Sequence, residues 1–201
     1  MSLQAIPLFD LGNVVIKVDF HPFIRWLAQE SESGNLDEAE AVLRSSLFFE
    51  LEFGRIDREG FLRGIGDVFK IKSSADEIEK RFCSIFPGSV DGMVELLGEI
   101  SREQPVYALS NTNELHLSWI RRQHPETLDP FQKVFSSHEL KKRKPDPGIY
   151  QDVCDALGVD PARIVFFDDL EVNIEGARQA GMNAYLFRDT GQVREILGIV
   201  K

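Results

Sequence analysis

The chain has 201 residues, of which 43% are apolar, and its 33 acidic and 23 basic side chains give a formal net charge of −10. This length suits one domain with an insertion or two small domains, and the apolar content excludes a largely disordered chain. The negative charge argues against sequence-independent binding to nucleic acid and against an anionic membrane as a partner.

The two cysteines, Cys83 and Cys154, stand apart without a CxxC or His-rich context. This pattern predicts buried thiols of a reducing compartment, and neither a disulfide framework nor a zinc site. No apolar run approaches the roughly 18 residues of a membrane span, and no charged-then-apolar leader is recognisable. We therefore expect a cytoplasmic protein with no membrane or nucleic-acid partner, and the sequence leaves its oligomeric state open.

The first apolar run, residues 5–15, is interrupted by Asp10 and Gly12. Short apolar runs bounded by turn residues are typical of buried parallel strands, and ligands of open α/β sheets bind beyond the carboxyl ends of such strands. We therefore expect Asp10 to lie at the edge of a sheet where chemistry takes place. A structural capping role for this aspartate is the alternative that the segment alone leaves open.

The next stretch, residues 17–86, has the spacing of helices throughout. A first helix opens at His21-Pro22, further helices are predicted over 36–49 and 58–69, and the run from Ser74 to Glu77 is a capping box that opens another. A plain β-α unit would place a single helix after the first strand. The sequence therefore predicts a helical block inserted after that strand.

From Ser89 onward, helical segments alternate with short apolar runs. These runs, each predicted as a strand, are residues 105–109, 133–135, 164–167 and 184–187. Because a strand, a helix and the next parallel strand are joined in a right-handed manner, this order predicts a parallel, Rossmann-like sheet. The expected fold class is α/β, with a small all-helical insertion after the first strand.

Polar residues follow several of these strands. They are Asp10, then Ser110 with Asn111, then Lys144 in the loop after the third strand, and finally the pair Asp168 and Asp169 with Asn173. Two adjacent carboxylates repel each other unless a cation or hydrogen-bond donors compensate, so the pair indicates a metal site. Carboxylate ligands suit Mg²⁺, while the serine, the lysine and backbone N–H groups suit phosphate. An aspartate beside such a site is a candidate nucleophile.

The chain resembles the haloacid dehalogenase (HAD) superfamily over its whole length. Four ordered motifs carry the resemblance, namely residues 9–14, 109–113, 144–147 and 167–177. The resemblance implies a core domain formed by residues 1–16 and 87–201 and a helical cap formed by residues 17–86. The residues of these motifs are most similar to those of bacterial α-D-glucose-1-phosphate phosphatases. This resemblance implies hydrolysis of a small phosphorylated metabolite with Mg²⁺ as cofactor.

The resemblance also implies roles for single residues. The catalytic residues would be Asp10 as nucleophile, Ser110 and Lys144. The phosphate would be bound by Leu11, Gly12, Ser110, Asn111 and Lys144. The metal would be held by Asp10, Gly12 through its carbonyl, Asp168, Asp169 and Asn173, with Asp168 and Asn173 supporting it from close by.

One residue departs from the pattern of the superfamily's phosphatases. These enzymes carry a second aspartate two positions after the nucleophile as acid and base, and here that position is Gly12. General acid-base catalysis typically contributes on the order of 10² to 10⁴ in rate, so its loss matters most for poor leaving groups. We therefore expect a preference for anomeric sugar phosphates or other activated phosphates. A histidine from the cap, His21, is a weaker candidate for the missing acid.

Two other functions remain open at this point. The first is a metal-free dehalogenase in which Asp10 attacks carbon, although the Asp168-Asp169 pair would then have no purpose. The second is a binding or regulatory module that keeps the phosphate pocket but turns over little substrate because Gly12 replaces the acid. Response-regulator receivers are disfavoured, because their acidic pair comes early in the chain and here it comes late.

Overall fold

The computed structural model of the protein describes residues 5–199. The ends of the core range predicted above, residues 1–4 and 200–201, lie outside them. The strands in chain order are β1 (Ile6–Phe9), β2 (Ile16–Lys17), β3 (Gly88–Ser89), β4 (Tyr107–Ser110), β5 (Lys133–Ser136), β6 (Ile164–Asp168) and β7 (Asn183–Leu186).

Five of these strands form one parallel sheet in the order β5-β4-β1-β6-β7. Strand β1 lies at the centre, with Phe9 opposite both Ala108 of β4 and Phe167 of β6. The chain first runs outward on one side of β1 and then crosses to the other side. The carboxyl end of β1 is therefore the point where the strand order reverses, which is where open α/β sheets form a binding crevice. The predicted α/β class is confirmed.

The described residues also form α-helices, which alternate with the strands of the sheet except for a run of five after β2 and a pair after β5. They are α1 (His21–Glu30), α2 (Leu36–Ala41), α3 (Ser46–Glu52), α4 (Arg58–Phe69), α5 (Ala75–Cys83), α6 (Met93–Glu103), α7 (Glu114–Gln123), α8 (Ser137–Leu140), α9 (Pro147–Leu157), α10 (Glu171–Gln179) and α11 (Thr190–Leu197). None of the helices in the described part of the chain is long and apolar enough to cross a membrane.

Helices α1 to α5 form the predicted helical block between β2 and β3. These two short strands pair antiparallel, with Ile16 opposite Ser89. The chain therefore enters the helical block through β2 and leaves it through the adjacent β3. The inner faces of the helices bury apolar side chains, among them Phe23, Phe61 and Phe82. The division into a core and a cap at residues 17 and 86 stays a prediction.

The sequence-based expectation of one helix over 36–49 is wrong. Helix α2 ends at Ala41, a short 3₁₀ turn follows, and Ser45 adopts an extended backbone before α3 begins. The physical reason is that the Ser45 hydroxyl accepts a hydrogen bond from the Phe48 backbone N–H and so starts a new helix. The segment after β5 also differs, because residues 137–140 form a one-turn helix where only a loop is expected.

Candidate active site

The polar residues predicted from the strand ends meet at one edge of the sheet. Asp10 directly follows β1, Ser110 ends the neighbouring β4, and Asp168 ends β6 on the other side of β1. The Asp10 backbone N–H donates a hydrogen bond to the Phe167 carbonyl at 2.8 Å, which extends the sheet by one residue past β1. Parallel strands bring their carboxyl ends to one edge, so residues far apart in sequence share one site.

Lys144 is the buried cation of this site. Its Nζ atom lies 2.6 Å from Asp168 Oδ2 and 3.0 Å from Asp10 Oδ1, and it donates a hydrogen bond to the Leu109 carbonyl at 3.0 Å. Only 2% of the residue is exposed. Burial acts to lower the pKa of Lys144, but the two carboxylates outweigh it and raise the pKa. The ammonium form therefore lies fixed beside the Asp10 carboxylate.

Asp10 is held by two donors and crowded by other acids. Besides Lys144, the Leu11 backbone N–H donates to Asp10 Oδ1 at 2.7 Å. Burial raises the pKa of Asp10 from its ordinary 3.8 to about 7; Lys144 opposes this rise, while the neighbouring charges of Asp168 and Asp169 add to it. The site therefore has more negative charge than its one lysine balances, which favours the binding of a further cation.

Three carboxylates form a group that fits a divalent cation. Oxygen atoms of Asp10, Asp168 and Asp169 all lie within 4.8 Å of one another. Carboxylate oxygens are the ligands that Mg²⁺ prefers in proteins. Burial is the largest cause of the raised pKa of Asp10, and the charges of Asp168 and Asp169 add to it. The donor set and its charge therefore fit Mg²⁺, as the sequence predicts.

The two adjacent acids of this group have different surroundings. Both oxygens of Asp168 receive hydrogen bonds from the Asn173 side-chain amide, at 2.9 and 3.1 Å, and Oδ1 also receives the Leu170 backbone N–H. The side chain of Asp169 is bonded to the Asn13 amide at 3.2 Å. Asp168 and Asn173 are thus engaged in positioning Lys144, and Asp169 with Asp10 is better disposed to bind a metal directly.

Asn111 positions the lysine loop. Its side-chain amide donates to the Lys144 carbonyl at 2.9 Å, and its side-chain oxygen accepts from the Lys144 backbone N–H at 2.8 Å. These two bonds join the end of β4 to the loop before α9, which contains a cis peptide bond between Lys144 and Pro145. The Asn111 side chain is therefore occupied, and a contact with phosphate would involve its backbone.

A cavity of about 260 Å³ opens beside Gly12, Ser110 and Asn111. Its walls come from both the sheet edge and the helical block. They include Leu11, Val18, Phe20, Leu43, Phe48, Glu52, Ile85 and His116. Phe20 and Phe48 meet edge to face, with their ring centroids 6.1 Å apart. The cavity is mostly apolar except where it meets the strand ends and Glu52. The predicted substrate-binding residues Leu11, Gly12, Ser110 and Asn111 all line it, and Lys144 lies beside Asp10 instead.

The helical block contacts the lysine loop through Arg143. Arg143 Nη2 lies 2.7 Å from Glu52 Oε2 of α3, and the guanidinium lies over the Phe49 ring at 4.7 Å. Burial raises the pKa of Glu52, and the charge of Arg143 opposes this rise. Next to it, the Ser137 hydroxyl donates to the Glu52 carbonyl at 2.7 Å and accepts from the Thr112 N–H. The block is therefore fastened to both loops that surround Asp10.

Sequence reasoning missed four residues of this region: Asn13, Glu52, His116 and Arg143. Asn13 has a positive φ of 54°, which an asparagine tolerates, and this turn directs its amide to Asp169. An Asn after Asp-Leu-Gly is the signal that points to such a turn. Glu52 and Arg143 carry no comparable signal, because their partners lie on distant segments. His21, considered as an acid, is exposed and bonded to Asp19, away from the cavity beside Gly12.

Known proteins are similar to this chain in sequence and in fold. A family model described as haloacid dehalogenase-like hydrolase matches residues 8–181 of the chain. A D-ribitol-5-phosphate phosphatase of Bacteroides thetaiotaomicron is 21% identical over 96% of this chain and 96% of its own length. A phosphatase of Mycobacterium tuberculosis, MT3486, is 47% identical over 34% of this chain, and the match spans only 30% of that protein.

Solved structures give the same result for the fold. A HAD family enzyme of Bacteroides thetaiotaomicron, in complex with magnesium and inorganic phosphate, has a TM-score of 0.85 at 27% identity, over 95% of this chain and 99% of that chain. The L-2-haloacid dehalogenase of Xanthobacter autotrophicus has a TM-score of 0.60 at 18% identity, over 98% of this chain and 84% of its own. At that identity, the second likeness shows the fold alone.

Proposed function

The chain belongs to the haloacid dehalogenase-like hydrolase family and is a phosphoric monoester hydrolase. We propose that its activity depends on Mg²⁺ and proceeds through an aspartyl phosphate on Asp10. The single observation that carries the proposal is the position of the Lys144 ammonium, 3.0 Å from Asp10 and 2.6 Å from Asp168. This arrangement holds an otherwise crowded carboxylate in place beside a cation that attracts phosphate.

The chain's own residues account for the steps as follows. Asp10 Oδ attacks the phosphorus atom, an O–P bond forms, and the bond to the leaving oxygen breaks. Ser110 and the backbone N–H groups after β1 and β4 orient the phosphoryl oxygens, and Lys144 stabilises their charge. Water then hydrolyses the aspartyl phosphate, which releases inorganic phosphate and regenerates Asp10.

The metal would be held by Asp10 and Asp169, with the Gly12 carbonyl as a further predicted ligand and with Asp168 and Asn173 behind them. Bound Mg²⁺ would neutralise negative charge on the phosphoryl group during transfer. The support for this part of the proposal is the group of carboxylate oxygens within 4.8 Å and the raised pKa of Asp10.

The proposed substrate is a small phosphorylated metabolite whose leaving oxygen is already acidic, such as glucose 1-phosphate. The reason is Gly12, which offers no acid to protonate a poor leaving group. Relatives are named as phosphatases of D-ribitol 5-phosphate and of N-acetylmuramic acid 6-phosphate, so phosphorylated sugars and polyols are substrates within the family. The cytoplasmic location stays a prediction, as does the absence of nucleic-acid and membrane partners.

The test is phosphate release from a panel of phosphate monoesters, with Mg²⁺ and with a chelator, for the wild type and Asp10→Asn. We expect activity that requires Mg²⁺ and falls by at least about a thousandfold in Asp10→Asn, because removal of a nucleophile disables the first step. The matched control is Asp91→Asn, whose side chain is exposed and paired with Lys17, and which should behave as the wild type.

Two results would contradict this proposal, and each would favour one of the other functions that the sequence leaves open. Turnover of a 2-halo acid that persists in the chelator would indicate a dehalogenase. Tight binding of inorganic phosphate without hydrolysis of any ester would indicate a binding module. The carboxylate group around Asp10 favours the phosphatase, because a metal-free halide site gains nothing from the additional acids.

A further inference from the structure

Glu52 is the only carboxylate among the residues that line the cavity beside Gly12 in the described part of the chain. It ends helix α3, and only 6% of the residue is exposed. A buried carboxylate is costly unless it is paired and hydrogen-bonded. The contacts of Glu52 therefore indicate which ligand group could interact with it in the cavity.

The ion pair with Arg143 satisfies Glu52 only in part. Arg143 Nη2 lies 2.7 Å from Glu52 Oε2, which favours the carboxylate form. Yet this oxygen has no hydrogen bond of regular geometry within the described residues, and neither has Arg143 Nε. Oε2 is enclosed and lies against the guanidinium, so Oε1 is the carboxylate oxygen left to face the cavity that Glu52 lines.

Arg143 also keeps Glu52 in place. Its guanidinium lies over the Phe49 ring, and it is the residue directly before Lys144. The Glu52 backbone is fixed as well, through the hydrogen bond from Ser137 to its carbonyl. The carboxylate therefore occupies a rigid position in a cavity that also contains Gly12 and Ser110.

We infer that Glu52 accepts a hydrogen bond from a hydroxyl group of the leaving group, so that the site selects phosphate esters of sugars and other polyols. This inference rests on the proposed function and names its substrate class. The aromatic walls Phe20 and Phe48 would pack against the C–H faces of such a substrate. A leaving group without a hydroxyl would leave the carboxylate oxygen that faces the cavity without a donor, and sites built to hydrogen-bond a substrate hydroxyl discriminate against analogues that lack it.

The test compares two substrates whose leaving groups differ in hydroxyl groups, glucose 1-phosphate and phenyl phosphate. In Glu52→Gln, Arg143 takes the amide oxygen because a guanidinium has only donors, so the amide N–H₂ faces the cavity. The substrate hydroxyl then loses its charged acceptor and keeps at most a weaker, neutral hydrogen bond in which it accepts. We expect the ratio of kcat/KM for glucose 1-phosphate to that for phenyl phosphate to fall about 10- to 100-fold. The matched control on the same helix is Glu50→Gln, whose partner is Arg55, and its ratio should equal that of the wild type.

A second variant separates substrate binding from mere charge balance. In Glu52→Met with Arg143→Met, neither charge remains buried and unpaired, so a purely structural role for Glu52 is no longer needed. We expect the ratio to stay low in this double variant. A ratio that returns to the wild-type value would overturn the inference, and so would an equal loss of both activities in Glu52→Gln.

Binding measurements keep the inference separate from the proposed hydrolysis. In the Asp10→Asn background, calorimetry with glucose 1-phosphate and with inorganic phosphate reports affinity without turnover. Adding Glu52→Gln should weaken glucose 1-phosphate about 10-fold and inorganic phosphate much less, since the latter carries no leaving group. Equal weakening of both ligands contradicts the role of Glu52. Failure of the wild type to hydrolyse any ester contradicts the proposed function instead.

Discussion

At the scale of single residues, the basic run Lys141–Lys144 shows that neighbours in sequence have different surroundings. Lys141 donates to the Gly54 carbonyl, Lys142 pairs with Asp152, and Arg143 pairs with Glu52. Lys144 alone is fully buried beside Asp10. Such a run normally indicates a solvated surface, and Lys144 could be assigned to the site because it follows the third strand, at the edge where the other polar residues meet.

Some residues of the site could be located from the sequence, and others could not. Asp10, Ser110 and Asp168 could be located from the sequence, because each ends a short apolar run and parallel strands end at one edge. Glu52 and Arg143 could not, because their pairing joins α3 to a loop about ninety positions later and leaves no periodic pattern. The ion pair between these two residues is visible only in the three-dimensional structure.

Gly12 gives a prediction for a gain of activity. A Cβ atom at this position would meet Val18 Cγ2 at 3.4 Å, an ordinary contact, so the backbone at Gly12 accommodates the first atom of a side chain. The new carboxyl would supply the missing acid beside Asp10. We expect Gly12→Asp to raise kcat for simple alkyl phosphates by about 10², and to raise that for glucose 1-phosphate much less, because its leaving oxygen is more acidic.

The matched control for this prediction is Gly12→Asn, which has the same shape and cannot donate a proton as an acid. Steady-state kinetics of the three proteins on ethyl phosphate and glucose 1-phosphate make the comparison. If Gly12→Asn raises the alkyl phosphate rate as much as Gly12→Asp does, the missing-acid explanation fails. If neither variant changes the ratio of the two substrates, the leaving-group preference has another cause.

At the scale of elements, the sheet was easier to predict than the helical block. Buried parallel strands are continuous apolar runs, and β1, β4, β5 and β6 all carry that signal. In the block, local capping decides where a helix ends. The hydroxyl of Ser45 starts a second helix inside one apolar periodicity, and periodicity alone does not contain that information.

Helices α5 and α7 are joined by His116, which gives a pH prediction. Its Nε2 lies 3.3 Å from the Phe82 carbonyl, and its Nδ1 lies 3.1 Å from the Asn113 amide. Burial lowers the pKa of His116 from its ordinary 6.5 to about 3. Between these values the unfolded chain binds a proton that the folded chain does not. The free energy of unfolding therefore falls as the pH drops below 6.5.

Urea unfolding of the wild type and His116→Gln at pH 7.5 and pH 5 measures this effect. The variant loses packing against Phe82 and should be the less stable protein at pH 7.5. Because it lacks the histidine proton, we expect the difference in free energy of unfolding to shrink by about 2 kcal/mol at pH 5. A difference that is the same at both pH values would show that folding does not lower the pKa of His116.

At the scale of the whole molecule, the net charge of −10 does not describe the site. Lys144 lies beside Asp10 at the sheet edge and Arg143 lies beside the cavity, and with a bound divalent cation they would oppose the charge of the carboxylates there. In a buried site the nearest groups set the potential, since charges more than about 8 Å away across solvent are largely screened at physiological salt. The overall charge therefore bears more on a large polyanion such as nucleic acid, whose absence as a partner stays a prediction, than on a small phosphate ester.

The helical block and the sheet together enclose this site. The contacts of Glu52, Ser137 and Arg143 connect α3 to the loops after β4 and β5. Asp10 itself is only 7% exposed, and burial of this kind strengthens its electrostatic interactions. The same contacts explain how one residue of the insertion, Glu52, reaches a cavity whose chemistry lies in the sheet.

The central claim is that Asp10 becomes phosphorylated, and trapping the intermediate tests it most directly. The protein is quenched with acid during turnover of glucose 1-phosphate with Mg²⁺, treated with borohydride to reduce any acyl phosphate, and digested for peptide mass mapping. We expect reduction of the side chain at residue 10 in the wild type and none in Asp10→Asn. Steady turnover with an unmodified Asp10, or with phosphate on another side chain, would contradict it.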